Sequence, residues 1–365
     1  MLSFVALRCV AAPLTDGPYV TSQADGAWLA RRISGEESAP KVIEQHVTTR
    51  RPVIAVSAVG AVPEFKVRLR PPASVAPDEV SLPTTTSLFV VADTHGEYEI
   101  LVQLLRSQRI VDESLRWSFG RGHLVFLGDV FDRGLNQIEI LWLIYELEAQ
   151  AAKAGGGVHF VLGNHETMVM GGDLRYLNPK YSRVTQALGA ASYSELLGPN
   201  TLLGQWLRTR PTVLRIRDLL CLHGGISREV TQRGLTLRQI NTTVRDVLSG
   251  TPLDPASREH AGLLLGELGP LWYRGYFGDS QHAVRETPDQ IGSTLRHFGV
   301  STILVGHTRV PTVTSLYDQR VIAVHVYPQR DDTSGQAVME AVKVESGRFL
   351  RARIDGTTEP LATGH

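Results

Sequence analysis

Apolar residues along this chain gather in short runs, and five of those runs stop on a residue type that binds metals. They are Leu88-Phe-Val-Val-Ala-Asp93, Leu124-Val-Phe-Leu-Gly-Asp129, Val158-His-Phe-Val-Leu-Gly-Asn164, Leu219-Leu-Cys-Leu-His223 and Thr302-Ile-Leu-Val-Gly-His307. Runs of this length, without alternation and closed by glycine or polar residues, predict strands buried on both faces. Between them the spacing changes to that of helices. Ile100, Leu101, Leu104 and Leu105 share one face of a helix predicted over 97–109. Ile138, Leu141, Trp142 and Tyr145 do the same for a helix that ends before Gly155-Gly-Gly157. Strand, polar turn, helix, strand is the βαβ order. In open α/β sheets ligands collect beyond the carboxyl ends of the strands. Strands lying side by side would bring Asp93, His95, Asp129, Asn164, His223 and His307 to one point.

The flanking regions read differently. Residues 16–70 form a small β-rich region, with strands predicted over 42–47, 53–58 and 65–70. Residues 71–86, with Pro71, Pro72, Pro77 and Pro83, read as a linker. The catalytic block is expected over 87–354. Within it, 168–211 is rich in Tyr, Asn, Gly and Pro and reads as a loop-helix insertion. Strands return over 321–326 and 337–344, and the Gly/Thr-rich tail over 355–365 is expected to be flexible.

Composition narrows the class. The chain has 365 residues, 42 % of them hydrophobic and 20 % charged, as in a soluble protein with a substantial core. Lys plus Arg and Asp plus Glu both number 37, so no global charge draws the chain to nucleic acid or an anionic membrane. No run of 18 apolar residues predicts a membrane span. Two cysteines, Cys9 and Cys221, exclude a disulfide scaffold. Residues 1–15 read either as the remnant of a signal peptide, with Val10-Ala11-Ala12 as a small-residue cleavage site, or as a disordered terminus. The first reading places the protein in the periplasm or outside the cell, the second in the cytoplasm.

The chemistry lies at the strand ends. In Asp93-Thr-His95, side chains two apart point the same way and can grip one ion. Asp129 has two carboxylate oxygens and is the candidate bridge between two ions. Asn164 adds a neutral carbonyl oxygen, and His223 and His307 add imidazole nitrogen. An O/N donor set of this kind suits Mn, Fe or Zn. One aspartate at a strand end is ordinarily a helix cap, and one buried histidine is ordinarily a core residue. Five clusters in sequence make those readings improbable together.

Asp93-Thr-His95-Gly96, Gly128-Asp-Val-Phe-Asp-Arg-Gly134, Gly163-Asn-His-Glu166, His223-Gly-Gly225 and Gly306-His-Thr308 resemble the motifs of the calcineurin-like metallophosphatases, in their phosphoprotein phosphatase branch. The stretch 163–176, Pro270-Leu-Trp-Tyr-Arg-Gly275 and Asp16-Gly-Pro-Tyr-Val20 are similar to bacterial Shewanella-like protein phosphatases, including secreted members described as tyrosine phosphatases. The resemblance implies an α/β fold: a metallophosphatase-type β-sandwich flanked by helices, with a βαβαβ core and the small N-terminal β-rich region. It implies one metal held by Asp93, His95 and Asp129, and a second held by Asp129, Asn164, His223 and His307. It also implies a phosphomonoesterase in which water activated between two ions attacks phosphorus in line. Arg133, Arg274 and Asn164 would hold the phosphate. His165 would protonate the leaving group, oriented by Asp132.

The expected substrate is a phosphorylated protein or peptide, with phosphotyrosine and phosphoserine or phosphothreonine both open. The alternatives are a bis-nucleoside tetraphosphatase or other nucleotide phosphohydrolase and, outside enzymes, a degenerate module that binds phospho-ligands. No nucleic acid partner is expected. Val324-His-Val-Tyr-Pro-Gln329 stands where eukaryotic members carry Ser-Ala-Pro-Asn-Tyr-Cys, so no eukaryotic-type regulatory subunit is expected either. His325, near a strand end beyond Gly306-His-Thr308, reads as a packed or capping histidine, with a place lining the site as the alternative. Glu166 reads as support for its turn, and Asp173 and Arg175 equally as substrate contacts or solvated charges. Tyr176, Tyr181, Tyr193, Trp206, Trp272, Tyr273 and Tyr276 are candidates for an aromatic wall, with core packing the default for most of them.

Overall fold

The computed structural model describes residues 14–48, 50, 52–71, 74–278 and 284–362. Cys9 and the 10–12 segment lie outside the described residues. All five apolar runs form strands: Leu88–Val91, His123–Phe126, Gly157–Phe160, Leu219–Leu222 and Thr302–Val305. They do not all lie side by side. The first three are parallel neighbours in one six-stranded sheet, and the last two are parallel neighbours in a second. Strands apolar on every residue carry no face signal, so their division between sheets could not be read from the pattern.

The two sheets face each other. Leu88, Val90, Val125 and Leu127 from the first pack with Leu214, Ile216, Leu219, Cys221 and Leu304 from the second, forming the middle of the sandwich. The alternate residues point outward. Phe89, Val91, Leu124 and Phe126 meet the helices Tyr98–Ser107 and Gln137–Lys153. Leu220, Leu222, Ile303 and Val305 meet the helices Leu237–Ser249 and Pro288–Phe298. Helix, sheet, sheet, helix is therefore the layer order, and period-two alternation assigns each side chain to its layer. Both predicted helices form, and Ile138, Leu141 and Trp142 are fully buried. Cys221 is free and buried, and burial pushes its thiol pKa up to about 12.

The N-terminal strands Asp16–Ser22, Trp28–Ser34 and Lys41–Val47 make an antiparallel sheet, and Val53–Val56 pairs with Phe65–Arg68. Their inward residues Tyr19, Ile33, Ile54 and Val67 share one apolar cluster with Leu141 and Trp142. The Trp142 indole donates to Pro18 O at 2.8 Å. Further on, Glu79–Val80 pairs with Val213–Ile216, and Thr358–Pro360 pairs with Arg348–Arg353. The 168–211 stretch carries the helices Pro179–Ala187 and Leu202–Arg208. Among the described residues, no helix is long and apolar enough to cross a membrane.

One strand departs from expectation in a way that matters for the site. The run predicted over 321–326 leaves the sheet after Ala323. Val324 N still reaches Val305 O at 2.8 Å, but Val326 N turns back to Val324 O at 2.8 Å. The chain bends there, and alternation stops governing where side chains point.

Candidate metal centre

The carboxyl ends of both sheets open on the same edge of the sandwich. Asp93, His95, Asp129, Asn164, His165, His223 and His307 all lie there, each no more than 6 % exposed. Asp129 is central. Its Oδ2 lies 3.1 Å from His223 Nε2, 3.7 Å from His165 Nε2 and 3.9 Å from His95 Nε2. Asp93 accepts from His307 N at 3.1 Å, which ties the two sheets together at the site.

Backbone strain concentrates here. Asp93, His95, Asp129, Asp132, Arg133 and His307 all have φ between 42° and 67°. Glycines make the turns close enough. A Cβ on Gly128, whose φ is +84°, would fall 2.3 Å from Gly163 N, and one on Gly306 would fall 2.4 Å from Asp93 Oδ1. Glu166 holds the Asp129 turn from behind, accepting from Asp129 N and Val130 N at 2.8 Å and from Gly163 N at 2.7 Å. Its carboxyl is pushed up to about 7 by burial and by the Asp129 charge.

Hydrogen bonds fix the imidazoles. His95 Nδ1 lies 2.9 Å from Phe131 O, and His223 Nδ1 lies 2.7 Å from Leu127 O. A carbonyl only accepts, so each Nδ1 carries the proton and each Nε2 presents a lone pair. Around His223 Nε2 stand Asn164 Oδ1 at 2.8 Å, Asp129 Oδ2 at 3.1 Å and His307 Nδ1 at 3.1 Å. Acceptors converging in this way need positive charge between them. Burial pushes the His223 pKa down, yet the charges of Asp129 and Asp93 raise it to about 9, so the pocket favours a proton or a cation. Burial lowers His95 to about 4 and holds His307 well below its usual value, so both are neutral and fit to ligate.

Residues 86–311 match the family model of the calcineurin-like phosphoesterases. The chain belongs to that family. Over 95 % of its length it superposes on the crystal structure of the cold-active protein-tyrosine phosphatase of a psychrophile Shewanella species, with TM-score 0.81 and 35 % identity, covering 99 % of that chain. It is 37 % identical to Shewanella-like protein phosphatase 2 of Arabidopsis thaliana, over 71 % of this chain and 76 % of that protein. It is 25 % identical to Shewanella-like protein phosphatase 1 of Plasmodium berghei and spans 62 % of that protein's length. Calcineurin-like phosphoesterases use a dimetal centre. The donor set here suits one. Among the described residues, three groups of side chains are close enough to hold an ion: Asp129, His223 and His307; Asp93, His95 and His325; and His95, Asp129 and His165.

The remaining predicted residues divide clearly. His165 Nδ1 lies 2.5 Å from Asp132 Oδ2 in a buried contact. Burial lowers the His165 pKa, but the Asp129 charge and the Asp132 hydrogen bond outweigh it, and the net shift is upward. Arg133 is exposed at the rim, its guanidinium 5.9 Å from the Tyr327 ring centre. Arg274 is partly buried and anchored on His307 O at 3.1 Å and Thr308 Oγ1 at 3.2 Å. Asp173 and Arg175 pair with each other in solvent. Of the aromatic candidates, Tyr176 lies over His165 at 5.4 Å and Trp272 beside His307 at 5.8 Å. Tyr181, Tyr193, Trp206, Tyr273 and Tyr276 are buried core residues. In the 324–329 bend Tyr327 was missed, and His325 takes the site-lining alternative rather than the packed one. Tyr327 lies 5.8 Å from the His95 ring, and His325 Nδ1 lies 2.9 Å from Asp93 Oδ2.

Proposed function

We propose that this protein is a metal-dependent phosphomonoesterase acting on phosphorylated proteins or peptides, with preference for phosphotyrosine. The observation that carries the reading is the buried His165–Asp132 pair, set in front of converging metal-type donors. Asp93, His95 and Asp129 would hold one ion, and Asp129, Asn164, His223 and His307 the other. When bound, such ions supply Lewis acidity and lower the pKa of water to near neutrality. Mn, Fe or Zn fits the mixed O/N donors.

The chain's own residues supply the rest. Arg133, from the rim, and Arg274, from the Trp272 side, carry fixed positive charge to the phosphate oxygens. Asn164 adds polar contact without adding negative charge. His165 carries a proton on Nε2 and gives it to the departing oxygen, while Asp132 fixes the ring and stabilises its cation. Tyr176 and Tyr327 flank the mouth with aromatic faces suited to a phenyl phosphate. Export to the periplasm or the medium is part of the same reading, carried by Val10-Ala11-Ala12 alone.

The test is a substrate panel on metal-analysed protein: p-nitrophenyl phosphate, a phosphotyrosine peptide, a phosphothreonine peptide and diadenosine tetraphosphate. The expected order of kcat/KM places the phosphotyrosine peptide first. Preference for the dinucleotide would replace this reading with a nucleotide hydrolase, and no turnover with two ions bound would replace it with a binding module.

A further inference from the structure

We propose that His325 is a fourth protein ligand to the metal held by Asp93, His95 and Asp129. The inference rests on the dimetal reading above. The bend after Ala323 fixes the residue from both sides, because Val310 N donates to His325 O at 2.9 Å and Val324 N to Val305 O at 2.8 Å. The residue is 5 % exposed and its side chain points inward, onto Asp93. Donor atoms of Asp93, His95 and His325 all lie within 4.8 Å of one another.

The decisive feature is what His325 lacks. Both its ring nitrogens are buried without a hydrogen-bond partner. Nδ1 comes within 2.9 Å of Asp93 Oδ2, but not in the geometry of a donated N–H. Such orphaned groups are rare in folded proteins and call for an explanation, an ion being one. The distance itself supplies the clue. Ligands about 2.1 Å from a metal and at right angles to each other stand about 3 Å apart. The donors around His223 are 2.8 to 3.1 Å apart, and the His325–Asp93 separation belongs to the same set. A hydrogen bond serving only to orient Asp93 would align an N–H on the carboxylate.

The consequence is a symmetric centre. Each ion would have four protein ligands, with two imidazoles at each site and Asp129 between them. A second nitrogen at the first site turns it from an oxygen-dominated donor set, suited to Mg or Mn, toward borderline metals such as Zn or Fe. The first ion would then be resident rather than readily exchanged.

The full chain is stripped with chelator and reloaded with Co²⁺, as wild type, His325→Ala and His325→Gln. Two readouts are taken apart from activity: ion affinity by equilibrium dialysis, and the count of hyperfine-shifted imidazole N–H protons by NMR. The expected result is four shifted N–H protons in wild type and three in either variant. One of the two ions should bind more weakly by over 100-fold, beyond the roughly 10–100-fold cost typical of outer-shell support, while the other stays within about threefold. Three shifted protons in wild type with two ions bound would overturn the proposal and leave the dimetal reading intact. Fewer than two ions bound by wild type would overturn that reading itself. The wild-type count stands even if both variants misfold.

Discussion

Asp132→Asn tests the acid function proposed for His165. The carboxylate is fully buried and its Oδ2 lies 2.5 Å from His165 Nδ1, so little solvent screens the pair. With charge centres about 4 Å apart and an effective dielectric constant near 20, the attraction that stabilises the imidazolium is about 4 kcal/mol. The amide keeps the shape but loses that charge. With that charge gone, the His165 pKa should fall. The protonated form is the acid, so activity is lost on the alkaline side of this pKa, and the variant's alkaline limb should move to lower pH. The loss should depend on the leaving group. A phosphotyrosine peptide, whose phenol has a pKa near 10, needs the proton, and kcat should fall about 10²–10³-fold. p-Nitrophenyl phosphate releases a far more acidic phenol and should lose much less. Steady-state kinetics on both substrates, with metal content measured on the same samples, decides it. Equal losses on the two substrates, or loss of metal, would refute the role given to the pair.

Four further outcomes follow from the geometry. Asp129→Asn removes the central carboxylate and should reduce the metal content from two ions to fewer than one per chain by elemental analysis; retention of two ions would remove Asp129 as the bridge. Gly306→Ala sets a methyl 2.4 Å from Asp93 Oδ1, so affinity at the first site should fall about tenfold or more with the fold intact by circular dichroism. Burial, helped by the charges of His123 and Arg210, lowers the His159 pKa to about 3; between 6.5 and 3 the unfolded chain binds the extra proton, so stability falls as pH drops, by about 1.4 kcal/mol per unit, and urea midpoints in His159→Leu should lose that slope. Asp16 sits buried against Lys180 and accepts from Tyr19 OH at 2.7 Å; Asp16→Ala strands the lysine and should cost about 3–5 kcal/mol in urea unfolding.

The strand ends were legible because a strand buried on both faces is apolar at every position, and its last residue then stands out. Asp93, Asp129, Asn164, His223 and His307 needed no three-dimensional information to be singled out. The division of their strands between two sheets was hidden for the same reason, since uniform burial erases the alternation that would say which face meets which neighbour. His325 was hidden differently. Val324-His-Val326 continues the pattern of Val321-Ile-Ala323, so a histidine there reads first as packed and only second as lining the site. Only the bend, held by hydrogen bonds to Val305 and Val310, aims it at Asp93. The strands Asp16–Ser22 and Trp28–Ser34 were missed because Arg31 and Arg32 break the apolar pattern, although Ala30 and Ile33 face the core.

The backbone marks the site independently of any motif. Among the described residues, thirteen non-glycine positions have positive φ. Seven lie in turns or at a helix end: Arg109, Leu115, Arg217, Tyr317, Asp318, Gln319 and Ser346. There local geometry alone accounts for them. The other six are Asp93, His95, Asp129, Asp132, Arg133 and His307, on three loops drawn from both sheets. Each such conformation costs on the order of 1–3 kcal/mol and persists only where the surroundings enforce it. Glu166 enforces it at Asp129 with three backbone hydrogen bonds, and Asp93 enforces it at His307. Stability alone gives no reason for the strain to converge on one edge of the sandwich. Side chains that must face a common centre do, because a strand that ends in a left-handed residue turns its last side chain across the sheet edge rather than along it.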